Sequence, residues 1–74
     1  MRPYLNLSGN SGVREYEPGP DFIRVQFHSG DLYLYTYESA GRDNVEEMKR
    51  LAVAGKGLST FISQHREVRN GYMR

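Results

Sequence analysis

The pattern of apolar and polar residues predicts a β-hairpin in the middle of the chain. The first arm, about residues 22–28, alternates with a period of two, as a half-buried strand does. The second arm, about residues 31–37, is apolar on both faces because tyrosines alternate there with leucines. The apolar positions of the two arms are Phe22, Ile23, Val25, Phe27, Leu32, Tyr33, Leu34, Tyr35 and Tyr37. The register between the arms decides which of these side chains is buried.

Two lengths of the hairpin loop are compatible with this pattern. A two-residue loop, Ser29-Gly30, pairs Val25 with Leu34 and places the leucines in the core. A three-residue loop, His28 to Gly30, pairs Val25 with Tyr33 and places the tyrosines in the core. In the three-residue loop Gly30 takes a left-handed conformation, which glycine adopts at little steric cost.

Residues on either side of the hairpin predict one further strand and two helices. A strand over about residues 12–16 precedes a turn that contains two prolines and a glycine. Asp43 is the predicted N-cap of a helix over about residues 44–54, whose apolar side chains recur at helical spacing. A second apolar stripe predicts a helix over about residues 58–67, which ends before Asn70-Gly71.

The motifs around the hairpin resemble those of the KTSC domain, a small domain of bacterial and phage proteins that also occurs at the C-terminus of some lysyl-tRNA synthetases. The matching motifs are Tyr16-x-Pro18, Val25-x-Phe27, Tyr33-x-Tyr35, Gly57-Leu58, Phe61-Ile62 and a basic tail near Tyr72, in this order over about residues 8–72. The chain departs from the family at Leu34, where a polar or charged residue is common. The resemblance implies tyrosines that face inward, a bacterial or phage origin and a suggested role in RNA binding. We therefore favour the three-residue loop.

Together these elements predict an α+β domain in which a three-stranded antiparallel meander carries two helices on one face. The length of 74 residues predicts a single domain, which we place over 12–74 after a flexible or partly ordered segment over 1–11. That segment is either a frayed tail or a cover for the second face of the sheet. The predicted core consists of Ile23, Val25, Phe27, Tyr33, Tyr35, Met48, Leu51, Phe61 and Ile62.

Charge is distributed unevenly along the chain, although the net charge is only +1. Residues 38–47 carry one basic and four acidic groups, whereas residues 48–74 carry six basic groups and one acidic group. Acidic groups near helix starts and basic groups near helix ends partly explain this, because they complement the backbone dipole. The remaining excess of basic groups predicts a surface that binds anions or nucleic acid. Its residues are Lys56, Arg66, Arg69 and Arg74.

The segment Gly55-Lys56-Gly57-Leu58-Ser59 has two interpretations. Amides at a helix start and a lysine bind phosphate in other proteins, but the spacing of the nucleotide-binding loop is missing here. The alternative is a corner between two helices, in which Gly55 caps the first helix. We favour the corner because glycine is common at helix ends.

No catalytic or metal-binding motif is found in the sequence. The two histidines, His28 and His65, lie far apart and belong to no Ser-His-Asp or HExxH pattern. The chain has no cysteine, which excludes disulfides and thiolate metal sites. It also has no long apolar run, so we expect neither a membrane span nor a signal peptide. We therefore expect a cytoplasmic protein that is not an enzyme and has no catalytic residues, cofactor or metal.

We expect a small binding module. A protein partner or a second copy of the chain is the first expectation, because the second sheet face would expose Phe22, Leu32 and Leu34. Open strand edges also offer backbone groups for pairing. The alternative is RNA or another nucleic acid bound to the basic helix surface. In the other register, an exposed row of tyrosines would stack on bases instead.

Overall fold

The computed structural model describes residues 1–7, 9 and 11–73. In this part of the chain a five-stranded antiparallel sheet is combined with four helices. The elements in chain order are β1 (Arg2–Pro3), β2 (Val13–Pro18), β3 (Phe22–Phe27), β4 (Leu32–Thr36), α1 (Tyr37–Ala40), α2 (Arg42–Ala54), α3 (Leu58–Gln64), α4 (Arg66–Arg69) and β5 (Tyr72–Met73). The strands lie side by side in chain order. The predicted α+β class is confirmed.

The central hairpin, β3–β4, has the register of the three-residue loop. Val25 pairs with Tyr33, and Ile23 pairs with Tyr35. The amide of Phe27 donates to the carbonyl of Asp31 at 2.9 Å, and Gly30 has a φ of 98°. Tyr35 is consequently buried, at 1% exposure. The prediction that the tyrosines of the second arm face the helices is confirmed at this position.

The predicted count of three strands and two helices is smaller than the observed count. The three meander strands are present as β2, β3 and β4, and two short strands extend the sheet at its edges. β1 pairs with β2, and β5 pairs with β4 through Leu34 and Tyr35. A helix of one turn, α1, follows β4 directly, capped by Thr36 and Ser39. Two-residue strands carry no periodic pattern, so their pairing depends on tertiary contacts.

Both predicted helices differ from the structure at one end. α2 begins at Arg42 after Gly41, with no side-chain cap, so the predicted Asp43 cap is wrong. The second helix ends at Gln64, because His65 is extended at φ −112° and ψ 105°, and α4 follows as a separate turn. The His65 ring stacks on Phe61 at 4.0 Å. Its Nδ1 lies 2.8 Å from the Phe61 carbonyl oxygen, a contact that holds the bend.

The core lies between one face of the sheet, here called the inner face, and the helices. Of the nine predicted core residues, Ile23, Val25, Tyr35, Met48 and Ile62 are buried, and Phe27, Tyr33, Leu51 and Phe61 are partly buried and pack against them. Further buried side chains from β2 and the helices belong to this core, namely Val13, Tyr16, Ala40, Val45, Ala52, Leu58 and Val68.

After β1, which pairs with β2 at the edge of the sheet, residues 4–7 of the N-terminal segment lie against the corner between α2 and α3. Tyr4 is buried, and its hydroxyl accepts a hydrogen bond from the Leu58 amide at 3.3 Å. The amide of Leu7 donates to the carbonyl of Gly55 at 2.7 Å. The alternative in which this segment covers the second face of the sheet is therefore wrong.

Candidate interaction surface

The side chains opposite to the core define the outer face of the sheet. Successive side chains of a strand point to opposite faces. Since Ile23, Val25 and Tyr35 are buried against the helices, their strand neighbours point away from the helices. Cross-strand pairing aligns these neighbours in rows across the sheet. One row is Met73, Leu34, Arg24 and Glu17, and the next is Leu32, Gln26 and Glu15.

The three residues predicted as a protein interface all lie on the outer face. Leu32 is 43% exposed, whereas Phe22 and Leu34 are partly buried. The Phe22 ring lies against Gly19, where an added Cβ would be 2.0 Å from the ring. Because its own chain covers part of Phe22, the two leucines are the more accessible members of the predicted interface.

An apolar stripe runs along β4 and β5 on this face. Leu34 pairs with Met73 in the sheet, and Met73 is 50% exposed. The apolar stripe consists of Leu32, Leu34 and Met73. Met73 was not identified from the sequence because β5 was not predicted, although a methionine after a tyrosine is compatible with a short strand.

A charged stripe lies beside the apolar stripe, along β2 and β3. Arg24 Nη1 lies 2.7 Å from Glu17 Oε1, and Arg14 Nη2 lies 3.7 Å from Glu15 Oε1. These side chains are partly exposed, so the two ion pairs contribute little to stability. Their effect on recognition is larger, because each basic group is matched by an acidic group of the same chain and the stripe has no net charge.

The residues of the predicted basic surface do not form one cluster. Lys56 lies at the corner between α2 and α3, whereas Arg66 and Arg69 lie on α4. α3 separates the two places by about 10 Å, from seven residues at 1.5 Å each. All three side chains are exposed, and none forms an ion pair with a described acidic residue. Arg74, the fourth predicted member, lies outside the described residues.

The corner that contains Lys56 is built as the favoured interpretation predicts. Gly55 is left-handed, at φ 80°, and its amide donates to the carbonyls of Leu51 and Ala52 at the end of α2. The Leu58 amide at the start of α3 donates to the Tyr4 hydroxyl. A phosphate at this position would have to compete with that hydroxyl for the amide.

A polar cluster joins Tyr37 at the start of α1 to Glu46 and Lys49 on α2. The Tyr37 hydroxyl donates to Glu46 Oε2 at 2.5 Å, and Lys49 Nζ donates to the same oxygen at 2.9 Å. The hydrogen bond to Glu46 raises the pKa of Tyr37. The bonds from Tyr37 and Lys49 lower the pKa of Glu46. Lys49 Nζ also lies 3.4 Å from the Pro20 carbonyl oxygen, so the cluster joins α2 to the β2–β3 turn.

The ion-pair partner of Glu46 on α2 differs from the prediction. The sequence spacing predicts a pair between Glu46 and Arg50, four residues apart. Glu46 instead pairs with Lys49, and Glu47 pairs with Arg50, each three residues apart. The hydrogen bond from Arg50 lowers the pKa of Glu47. Glu46 accepts hydrogen bonds from both Lys49 and Tyr37 on the same carboxylate oxygen.

The two histidines lie at separate places in the fold. His28 is exposed in the hairpin loop, and His65 is held by its contacts with Phe61. Within residues 1–7, 9 and 11–73, no group of three or more His, Asp or Glu side chains is placed to hold a metal ion. In the same ranges, no helix has the length and apolar character needed to cross a membrane.

Comparison with known proteins found no match: no family model fits the chain, and no curated protein or solved structure is significantly similar to it. The resemblance to the KTSC domain stays a prediction from the sequence motifs.

Proposed function

We propose that the protein is a non-enzymatic binding module that contacts a protein through the outer face of its sheet. The observation that supports this proposal is the exposed apolar stripe on that face. The helices of the described chain pack on the inner face, and the N-terminal segment lies at the α2–α3 corner. Leu32 and Met73 are 43% and 50% exposed. Contiguous apolar surface with a polar border is typical of protein interaction sites.

The charge of the outer face also favours a protein over a nucleic acid as the partner. Nucleic-acid surfaces carry an excess of Lys and Arg, because phosphate contacts supply most of the affinity. Arg24 and Arg14 on or beside this face are each matched by a glutamate. Paired charges beside exposed leucines resemble the polar rim and apolar core of a protein interface. A phosphate backbone would instead be bound by an excess of basic groups.

A photo-crosslinking residue introduced at Leu32 tests the proposal in cells. Val53 on α2 provides the control, because it is a large apolar side chain with 61% exposure on the helical side. We expect adducts with a protein, identified by mass spectrometry, from position 32 and much less adduct from position 53. Equal adduct at both positions, or none at position 32, would refute the proposal.

A second candidate function is nucleic-acid binding through Lys56, Arg66 and Arg69. The observation in its favour is that these exposed cations have no acidic partner among the described residues. Three phosphate contacts to single-stranded RNA predict a slope of about −2 for the logarithm of affinity against the logarithm of salt concentration. Arg66→Glu should weaken such binding, whereas Arg50→Glu should not, because Arg50 is paired with Glu47. The absence of any RNA mobility shift at low salt would refute this candidate.

A further inference from the structure

We propose that Asn70 is a site of spontaneous deamidation and that the native fold holds the reaction back. Asn70 is exposed at the end of α4, and Gly71 is buried directly after it. Asparagine reacts most easily when glycine follows, because glycine has no Cβ to hinder attack by its own amide nitrogen. Among the asparagines of the sequence, only Asn70 precedes a glycine.

The reaction needs only water and hydroxide. The Gly71 amide nitrogen gives its proton to hydroxide and forms a bond to Cγ of Asn70. The Cγ–Nδ2 bond then breaks, and Nδ2 takes up a proton from water and leaves as ammonia. Water opens the resulting succinimide ring at either carbonyl. Cleavage at Cγ leaves an aspartate at position 70, whereas cleavage at the main-chain carbonyl leaves an isoaspartate, whose backbone is longer by a CH₂ group.

The native backbone opposes ring closure in two ways. The ring requires Cβ of Asn70 and the Gly71 nitrogen to be nearly eclipsed about the Cα–C bond, but at ψ −4° the Asn70 nitrogen is eclipsed there instead. Cβ is turned away by roughly a third of a turn, as two substituents of a tetrahedral carbon are. The Gly71 amide also donates to the Val68 carbonyl at 3.0 Å, and a hydrogen bond to the neutral amide disfavours the loss of its proton.

Gly71 cannot rotate into the reactive geometry while the C-terminal segment is packed. Its Cα lies so close to α1 and α4 that an added Cβ would be 2.4 Å from the Ser39 carbonyl oxygen and 2.5 Å from that of Glu67. Rotation about the Cα–C bond of Asn70 would also displace β5, which pairs with β4. Deamidation therefore requires a local opening of this segment, and its rate is proportional to the open fraction.

An isoaspartate at position 70 prevents the segment from closing again. The longer backbone shifts Gly71 relative to α4, and the close approach of Gly71 to the Ser39 and Glu67 carbonyl oxygens leaves no space for such a shift. β5 begins at the next residue, so its pairing with β4 is lost. Local opening is thus converted into a permanent loss of the edge strand.

The rates of deamidation of the native chain and of the chain unfolded in urea test the proposal. Both samples are incubated at the same mildly alkaline pH, and mass spectrometry of peptides prepared at acid pH quantifies the products. We expect aspartate and isoaspartate at position 70 in the unfolded chain, and at least about tenfold slower formation in the native chain. Asn44 precedes the β-branched Val45 and should react far more slowly in urea. Equal rates at position 70 in the two samples, or no product there in urea, would overturn the proposal.

Val68→Ala tests the requirement for local opening. Val68 is fully buried beneath α4, so its truncation should open the segment more often and accelerate deamidation of the native chain at least about fivefold. Val53→Ala removes the same atoms at a 61% exposed position of α2 and should leave the rate unchanged. Circular dichroism confirms that both variants are folded. Low concentrations of urea open the wild-type segment without any substitution and should also accelerate the reaction. Equal rates in the two variants, or a rate independent of urea, contradict the requirement for opening.

Asn70→Asp separates the charge of the products from the longer backbone. This variant carries the negative charge of both products in a backbone of normal length, so its β5 should stay paired with β4. The isoaspartate form, produced in urea, purified and refolded, should lose the protection of β5 against hydrogen exchange. If the isoaspartate form and Asn70→Asp are equally protected, the loss of the edge strand is wrong.

Discussion

Replacing Gly71 with alanine should destabilise the fold strongly, because the added carbon has no room. An ideal Cβ at this position would lie 2.4 Å from the carbonyl oxygen of Ser39, 2.5 Å from that of Glu67 and 3.0 Å from the Cα of Ala40. All three atoms belong to the backbone of α1 or α4. They cannot rotate away as a side chain can, so the two helical turns must separate to accommodate the methyl group.

The size of the effect follows from the distances. An ordinary contact begins at 3.4 Å, so the nearest carbonyl must move by about 1 Å. Overpacking usually costs about 1–3 kcal/mol, and two crowded carbonyl oxygens place Gly71→Ala near the upper end. For a domain of this length each kcal/mol lowers Tm by about 4–8 °C, which predicts a decrease of roughly 12–24 °C.

Thermal unfolding followed by circular dichroism measures this decrease against two controls. Gly12→Ala adds the same methyl group 3.8 Å from Phe27 Cδ1, an ordinary contact, and should change stability by less than about 1 kcal/mol. Gly30→Ala meets no atom within 4 Å but keeps a φ of 98°, so it isolates the conformational cost of about 1–2 kcal/mol. If Gly71→Ala unfolds as late as Gly12→Ala, the close approach of the C-terminal segment to α1 is wrong.

Three further variants test hydrogen bonding and ionisation. Tyr4→Phe removes the acceptor of the buried Leu58 amide and should lower the free energy of unfolding by about 1–2 kcal/mol in a urea titration; an unchanged midpoint contradicts the contact. The hydrogen bond from Tyr37 lowers the pKa of Glu46 below its ordinary 4.5. The ionised Glu46 carboxylate therefore stabilises the fold fully above pH 4.5, and this stabilisation is lost as the pH falls through the lower pKa of the folded state. Glu46→Gln should therefore show a smaller change of Tm between about pH 5 and pH 3, and an identical pH profile refutes this. Burial raises the pKa of Tyr35 above its ordinary 10.0, so its contribution is present below pH 10 and is lost at higher pH. Between neutral pH and about pH 11, the free energy of unfolding should therefore fall less for Tyr35→Phe than for the wild type. An equal decrease in both proteins refutes the prediction.

The two strands of the central hairpin were predictable from the sequence, whereas the residues alone left the register between them open. A period of two identified the first strand, and alternating tyrosines and leucines identified the second, but Gly30 is compatible with a two-residue and a three-residue loop. The resemblance to a known family favoured the register that the structure has. Once Val25 pairs with Tyr33, the alternation of the strands assigns each neighbouring residue to the inner or the outer face.

The edge strands and helix ends were not predictable from local rules. β5 has two residues, and its pairing with Leu34 depends on the turn of the chain after α4. This is why Met73 was missed in the apolar stripe. At the bend, the His65 ring stacks on Phe61, a contact that the helical spacing does not predict. Asp43 fits the N-cap preference, but α1 ends so close to α2 that Gly41 occupies the cap position.

The contact between Tyr4 and Leu58 has a consequence for the order in which the chain folds. The hydroxyl and the amide that it joins are separated by 54 positions in the sequence. During synthesis the Tyr4 ring therefore remains without its helical partner until α3 has left the ribosome. Such long-range contacts slow folding because a large loop must close before they form. The segment around Tyr4 is made before α3 and is thus among the last parts of this domain to reach its native packing.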